Sequence, residues 1–126
     1  MRDGPPRPSP AILVAGGNRR NLELLGRSLE ADGWRVLTAA CMEELDRALS
    51  VPEEIGLALV DIAGFGRDIW ERCESLRARG VMLLVISPRR SQAIQQESLA
   101  HGARGVLVKP LSVREVMTLV RGLLRE

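Results

Sequence analysis

Residues 81–110 read VMLLVISPRRSQAIQQESLAHGARGVLVKP. The run 81–86 is continuously apolar and of strand length, and Ser87 and Pro88 close it. A strand covered on both faces of a sheet reads this way. A helix is expected over 91–101, with Gly102 as its C-cap, because glycine takes the left-handed turn at little steric cost. A second short apolar run, 105–108, ends at Lys109-Pro110. Strand, helix and strand in sequence form the unit from which parallel sheets are built, since parallel strands need a crossover between them.

The same alternation extends through the rest of the chain and gives five βα units. Strands are expected at 11–15, 34–38, 57–60, 81–86 and 105–108, and the first, third and fourth are apolar throughout, as strands buried on both faces are. Leu22, Leu25 and Leu29 fall on one face of a first helix. Helices follow at 42–50 and roughly 67–78. In the last helix Val113, Val116, Met117, Val120 and Leu124 share one face, and Ser112 with Glu115 forms a capping box behind Pro110. Residues 1–10 carry four of the chain's 7 prolines. A proline-rich, disordered tail is expected there, with one folded domain over 11–126.

Composition bounds the function. Apolar residues make up 45% and charged residues 27% of 126, ordinary values for one globular domain. The net charge of +2 comes from 18 basic and 16 acidic residues mixed along the chain, with no basic stripe, so no direct nucleic-acid contact is expected. Cys41 and Cys73 lack C-x-x-C spacing and paired histidines, which argues against zinc and against a disulfide scaffold; both read as buried thiols in a reducing cytoplasm. No apolar run is long enough to span a bilayer, so neither a membrane partner nor a membrane location is expected. His101 has no serine or acid arranged for catalysis beside it, and no enzymatic activity is read.

In an open α/β sheet, ligands gather beyond the carboxyl ends of the strands. Those ends carry Gly16-Gly17-Asn18, Asp61, Ser87 and Lys109-Pro110. An acid, a hydroxyl and an amine are expected to converge on one pocket, with Asp61 meeting Lys109. Lys109 is the only lysine among the 18 basic residues. That position calls for a compact ammonium where a guanidinium fork would overfill the site.

On these residues the chain resembles the receiver domain of bacterial response regulators, from Ala11 to Glu126. The most specific part is 102–110, GARGVLVKP, similar to the receiver's G-A-x-x-[YF]-x-x-K-P. Asp61 falls at the phosphoacceptor aspartate, Ser87 at the Ser/Thr that closes strand four, and 21–25 (NLELL) reads like a receiver's first helix. The resemblance implies a flavodoxin-like (βα)5 fold, a parallel five-stranded sheet in order 2-1-3-4-5 with helices one and five on one face and two to four on the other. It also implies phosphorelay signalling. A histidine kinase or phosphotransfer protein donates a phosphoryl group to the aspartate, Mg²⁺ bridges it to acidic residues, and Ser87 and Lys109 contact the phosphoryl.

The sequence departs from that pattern in several places. Gly16 and Gly17 stand where the family has its acidic pair, and Val106 where it has an aromatic switch. Phe65 replaces a proline four residues after Asp61, and Pro88 follows Ser87. With Asp61 the only carboxylate left, Mg²⁺ is expected to bind weakly at most, with Asn18 offering only a neutral amide oxygen. Asp61 and Lys109 then form a partly desolvated ion pair. The leading expectation is an atypical receiver, or pseudo-receiver, acting as a protein-interaction module. Its partners are expected to be a histidine kinase, a phosphotransfer protein or another signalling protein. A homodimer is expected through helix four, strand five and helix five, including Gln95, Gln96, Arg104 and Arg121. Two alternatives stand beside it: a receiver phosphorylated at Asp61 with weak metal dependence, and a small-anion sensor using the Gly16-Gly17 turn with Arg19 and Arg20.

Overall fold

The computed structural model describes residues 10–124. In chain order the elements are β1 (Ala11–Ala15), α1 (Arg19–Ala31), β2 (Val36–Ala39), α2 (Met42–Ser50), β3 (Ile55–Asp61), a 3-10 turn (Ile62–Gly64), α3 (Ile69–Ala78), β4 (Met82–Ser87), α4 (Gln92–Ala100), β5 (Gly105–Val108) and α5 (Val113–Leu124). The five strands pair in parallel, in the order β2-β1-β3-β4-β5. This is the flavodoxin-like arrangement expected. The proline-rich tail assigned to 1–10 lies outside the described residues except for Pro10, whose ring packs on Gly56.

Two apolar layers hold the sheet. Alternate side chains of β1, β3 and β4 point to opposite faces. Ile12, Val14, Leu57 and Leu59 pack with Leu22, Leu25 and Leu29 of α1 and Val116, Met117 and Val120 of α5. Leu13, Ala58, Val60 and Val85 pack with Leu45 of α2 and Ile69, Cys73 and Leu76 of α3. Each fully buried Leu, Ile or Val stabilises the fold by roughly 1.5–3 kcal/mol relative to exposure. The helix α4 is different, since its one buried residue is Ser98, whose hydroxyl donates to the Ile94 carbonyl at 2.6 Å. Next to it Trp70 of α3 stacks on His101, ring centroids 5.3 Å apart.

The helix ends follow local chemistry. Asn18 caps α1 by accepting from the Asn21 N–H at 3.1 Å, and Ser91 caps α4 by accepting from Ile94 at 3.2 Å. Ser112 and Glu115 form the reciprocal capping box, at 3.0 and 3.1 Å. After α4, Gly102 takes φ +98° while the Ala103 N–H returns to the Ser98 carbonyl at 2.9 Å, so the helix closes in a Schellman turn.

Some boundaries differ from the sequence reading. Pairing in β2 begins at Val36, opposite Ile12, and Trp34 does not open the strand. Its backbone N–H closes α1 on the Leu29 carbonyl, and its indole donates to Asp32 at 3.2 Å. The strand β3 starts earlier than expected because Ile55 still pairs with Ala11, across a register shift that Gly56 accommodates. The 3-10 turn after Asp61 was not anticipated. Cys41 is exposed at the N-cap of α2, which corrects its reading as a buried thiol, whereas Cys73 is buried. Burial pushes the Cys73 thiol up to about 12. Among the described residues no helix is long and apolar enough to cross a membrane.

Candidate functional site

Asp61 closes β3, and Lys109 follows β5 at the same edge of the sheet. Their side chains meet, with Lys109 Nζ 2.5 Å from Asp61 Oδ2. The pair is partly desolvated, the aspartate side chain 21% and the lysine 38% exposed. The other carboxylate oxygen, Oδ1, accepts the Ala63 N–H at 3.1 Å, which caps the 3-10 turn. Asp61 thus fastens the β3 turn to the β5–α5 connection, with both oxygens engaged. The Lys109-Pro110 peptide is cis.

Ser87 does not join this pair. It is 1% exposed, and its hydroxyl donates to the Arg89 carbonyl at 2.6 Å, a turn shaped by the intervening Pro88. Its carbonyl accepts the Lys109 backbone N–H at 3.0 Å, so backbone, not hydroxyl, links it to the lysine. The expected convergence of acid, hydroxyl and amine is therefore only two-thirds met. Ser87 is absent from the described residues lining the cleft beside Asp61 and Lys109.

The Gly16-Gly17 turn is closed by backbone. A Cβ on Gly17 would lie 2.7 Å from the Gly64 Cα, and a Cβ on Gly64 would lie 2.6 Å from the Gly17 nitrogen. Real Cβ atoms do not approach so closely. The β1–α1 and β3–α3 loops therefore touch main chain to main chain where the acidic pair was sought. Gly16 is looser, with its Cβ position 3.2 Å from the Asp61 Cβ. Among the described residues no cluster of three or more His, Cys, Asp or Glu is placed to hold a metal ion. The Asn18 amide oxygen already accepts the Asn21 N–H in capping α1.

Of the two arginines that follow the turn, Arg19 is committed elsewhere. Arg19 donates to Glu44 of α2 at 2.9 Å, while Glu44 also accepts the Ala40 N–H at 2.7 Å. The Arg19 hydrogen bond, then the Ala40 N–H, holds the Glu44 carboxyl below its usual range. Arg121 reaches Asp32 with two bonds of 3.1 Å, so it turns toward the end of α1 and does not join α4 and β5 as expected. Val106 is half-buried against the α2–α3 layer, and Phe65 packs on the same layer. The signal that sequence reasoning passed over was Gly64, whose role appears only when the two loops are brought together.

Sheet order, helix placement and a paired acid and lysine at the carboxyl edge together define a CheY-like receiver fold. No protein-family model matches the chain. The transcriptional regulatory protein AruR of Pseudomonas aeruginosa is 30% identical over 121 residues, covering 92% of this chain and 50% of AruR. The Escherichia coli transcriptional regulatory protein HprR is 29% identical over 116 residues, covering 91% and 52%. The chain thus spans about half the length of these curated relatives. A CheY-like receiver domain protein from Methanospirillum hungatei superposes with TM-score 0.79 at 25% identity, covering 92% of this chain and 94% of that one. A Burkholderia pseudomallei response regulator, solved with a phosphorylated aspartic acid, calcium and citrate, superposes with TM-score 0.74 at 25% identity, covering 87% and 65%. These relatives and neighbours support a response regulator receiver domain of two-component signalling.

Proposed function

We propose that the chain is an atypical receiver that signals by protein contact, independently of Mg²⁺-assisted phosphorylation. The observation that carries this reading is the main-chain contact of Gly17 with Gly64. A divalent cation at a phosphoryl site needs several hard oxygen ligands and neutralises the charge gathered in transfer. Here the turn supplies no carboxylate and has no room for one at Gly17. Asp61 remains, with one oxygen on Lys109 and the other on the Ala63 N–H. These residues do not fit Mg²⁺. Ser87, held on Arg89, and Val106, with no aromatic ring to move, fit a domain without the usual readout.

On this reading the domain works in the cytoplasm and its partners are a histidine kinase, a phosphotransfer protein or another signalling protein. A second copy docks on α4, β5 and α5, where Gln95, Gln96, Leu99 and Arg104 are exposed. Arg121, held by Asp32, is not part of that face. The test is incubation with acetyl phosphate and Mg²⁺, followed by intact-mass measurement. No phosphoryl adduct is expected. A second reading keeps Asp61 as a phosphoacceptor with weak metal dependence, favoured by the retained contact between Asp61 and Lys109. A stable Mg²⁺-dependent adduct lost in Asp61→Asn would establish that reading and end the first.

A further inference from the structure

A cleft between α1 and α5 opens over the carboxyl edge of the sheet, with a volume of about 360 Å³. That is within the range of small-molecule sites, which are mostly apolar with a few convergent polar groups. Its walls are Leu24 and Leu25 of α1, Ile86 of β4, and Leu111 and Val113 at the start of α5. Leu24 is 47% and Val113 39% exposed, two of the three large apolar side chains left so open among the described residues. Both stand on this one cleft.

The polar end holds Asn18, Asn21, Asp61 and Lys109. Several of its acceptors are already engaged, Asp61 Oδ1 by the Ala63 N–H, Asp61 Oδ2 by Lys109, and Asn18 Oδ1 by the Asn21 N–H. Two of its donors have N–H groups to spare. An ammonium carries three N–H groups, and Lys109 faces one carboxylate oxygen, while the Asn18 amide keeps its NH₂. Spare N–H groups beside an apolar wall suit an anionic acceptor joined to an apolar body.

We infer that the cleft binds a small amphipathic monocarboxylate, with its carboxylate on Lys109 and Asn18 and its hydrocarbon between Leu24, Ile86 and Val113. This goes beyond contact signalling and does not depend on whether Asp61 accepts a phosphoryl group. The ligand bridges α1 and α5 across the sheet edge, so occupancy alters the face between those helices.

Titrating the full chain, labelled with ¹⁵N, against octanoate tests the inference, with octanamide as the neutral probe of equal length. Saturable shifts are expected at the Leu24, Lys109 and Val113 amides, with octanoate bound about tenfold more tightly than octanamide, the worth of one charge-assisted hydrogen bond. Lys109→Met removes that preference. Asp61→Asn, which relieves the lysine of its competing carboxylate, retains or tightens octanoate binding. Leu24→Asp, at an exposed position the core does not use, weakens both probes and keeps the test open should Lys109→Met fail to fold. Absence of saturable shifts, a preference that survives Lys109→Met, or loss of octanoate binding in Asp61→Asn overturns the inference. Octanoate binding together with an acetyl phosphate adduct on Asp61 would remove the proposed function while leaving this site standing.

Discussion

Gly17 and Gly64 face each other with only hydrogen on either side, and this contact sets what the sheet edge can hold. Neither glycine has a positive φ, so the cost of a side chain there is steric. Gly17→Ala is expected to destabilise the fold by about 1–3 kcal/mol, as overpacking does. Gly16→Ala, whose added carbon meets Asp61 at 3.2 Å, costs less. Urea unfolding of the two variants measures the difference, and equal stabilities would contradict the close approach. The pair Asp61 and Lys109 was legible in the sequence, because both residues close strands that a parallel sheet brings to one edge. Gly64 was not, because nothing local marks a glycine whose reason is a loop more than forty residues away. Ser87 misled for a related reason: its position was read correctly, but Pro88 bends the chain so that its hydroxyl turns to Arg89.

At the scale of elements, strong periodicity and capping chemistry carried the reading. The five βα units, the apolar faces of α1 and α5 and the Ser112–Glu115 box stand in the structure as the residues suggested. Edges drifted where a side chain serves a neighbouring turn, as Trp34 does in closing α1. The helix α4 is anchored differently from the rest. It buries Ser98 and contributes no apolar residue to either core layer. Its exposed backbone bonds have little packing to protect them. Hydrogen exchange is expected to open α4 before α1 and α5, with amides 95–100 exchanging faster than those of 116–120. Equal protection across the three helices would contradict this account of how α4 is held.

Across the whole molecule, surface carboxylates tie the elements together and set the response to acid. Glu44 is held below the usual range by Arg19 and the Ala40 N–H, Asp46 by Arg72, and Glu115 by the Ser112 N–H and hydroxyl. Each is lower in the folded state than in the unfolded chain. Their contribution is therefore present above the unfolded values, near pH 4, and is lost as pH falls through the folded ones. The thermal midpoint is expected to hold from about pH 7 to 5 and to fall below about pH 4, with a shallower fall in Glu115→Gln; a midpoint unchanged at pH 3 would contradict these pairings. The fold as a whole was legible because five short apolar runs with helical segments between them admit few topologies, and the resemblance selected one. Its working state was less so, because the acidic pair's replacement leaves open whether the turn is empty or filled. Backbone fills it, Gly17 against Gly64. The most direct measurement is the ¹H–¹⁵N spectrum of the full chain with Mg²⁺ and beryllofluoride added together. No saturable, Mg²⁺-dependent shifts are expected at Gly16, Gly17, Asp61, Ala63 or Lys109; such shifts, lost in Asp61→Asn, would mean that the closed turn still admits the metal and the phosphoryl mimic.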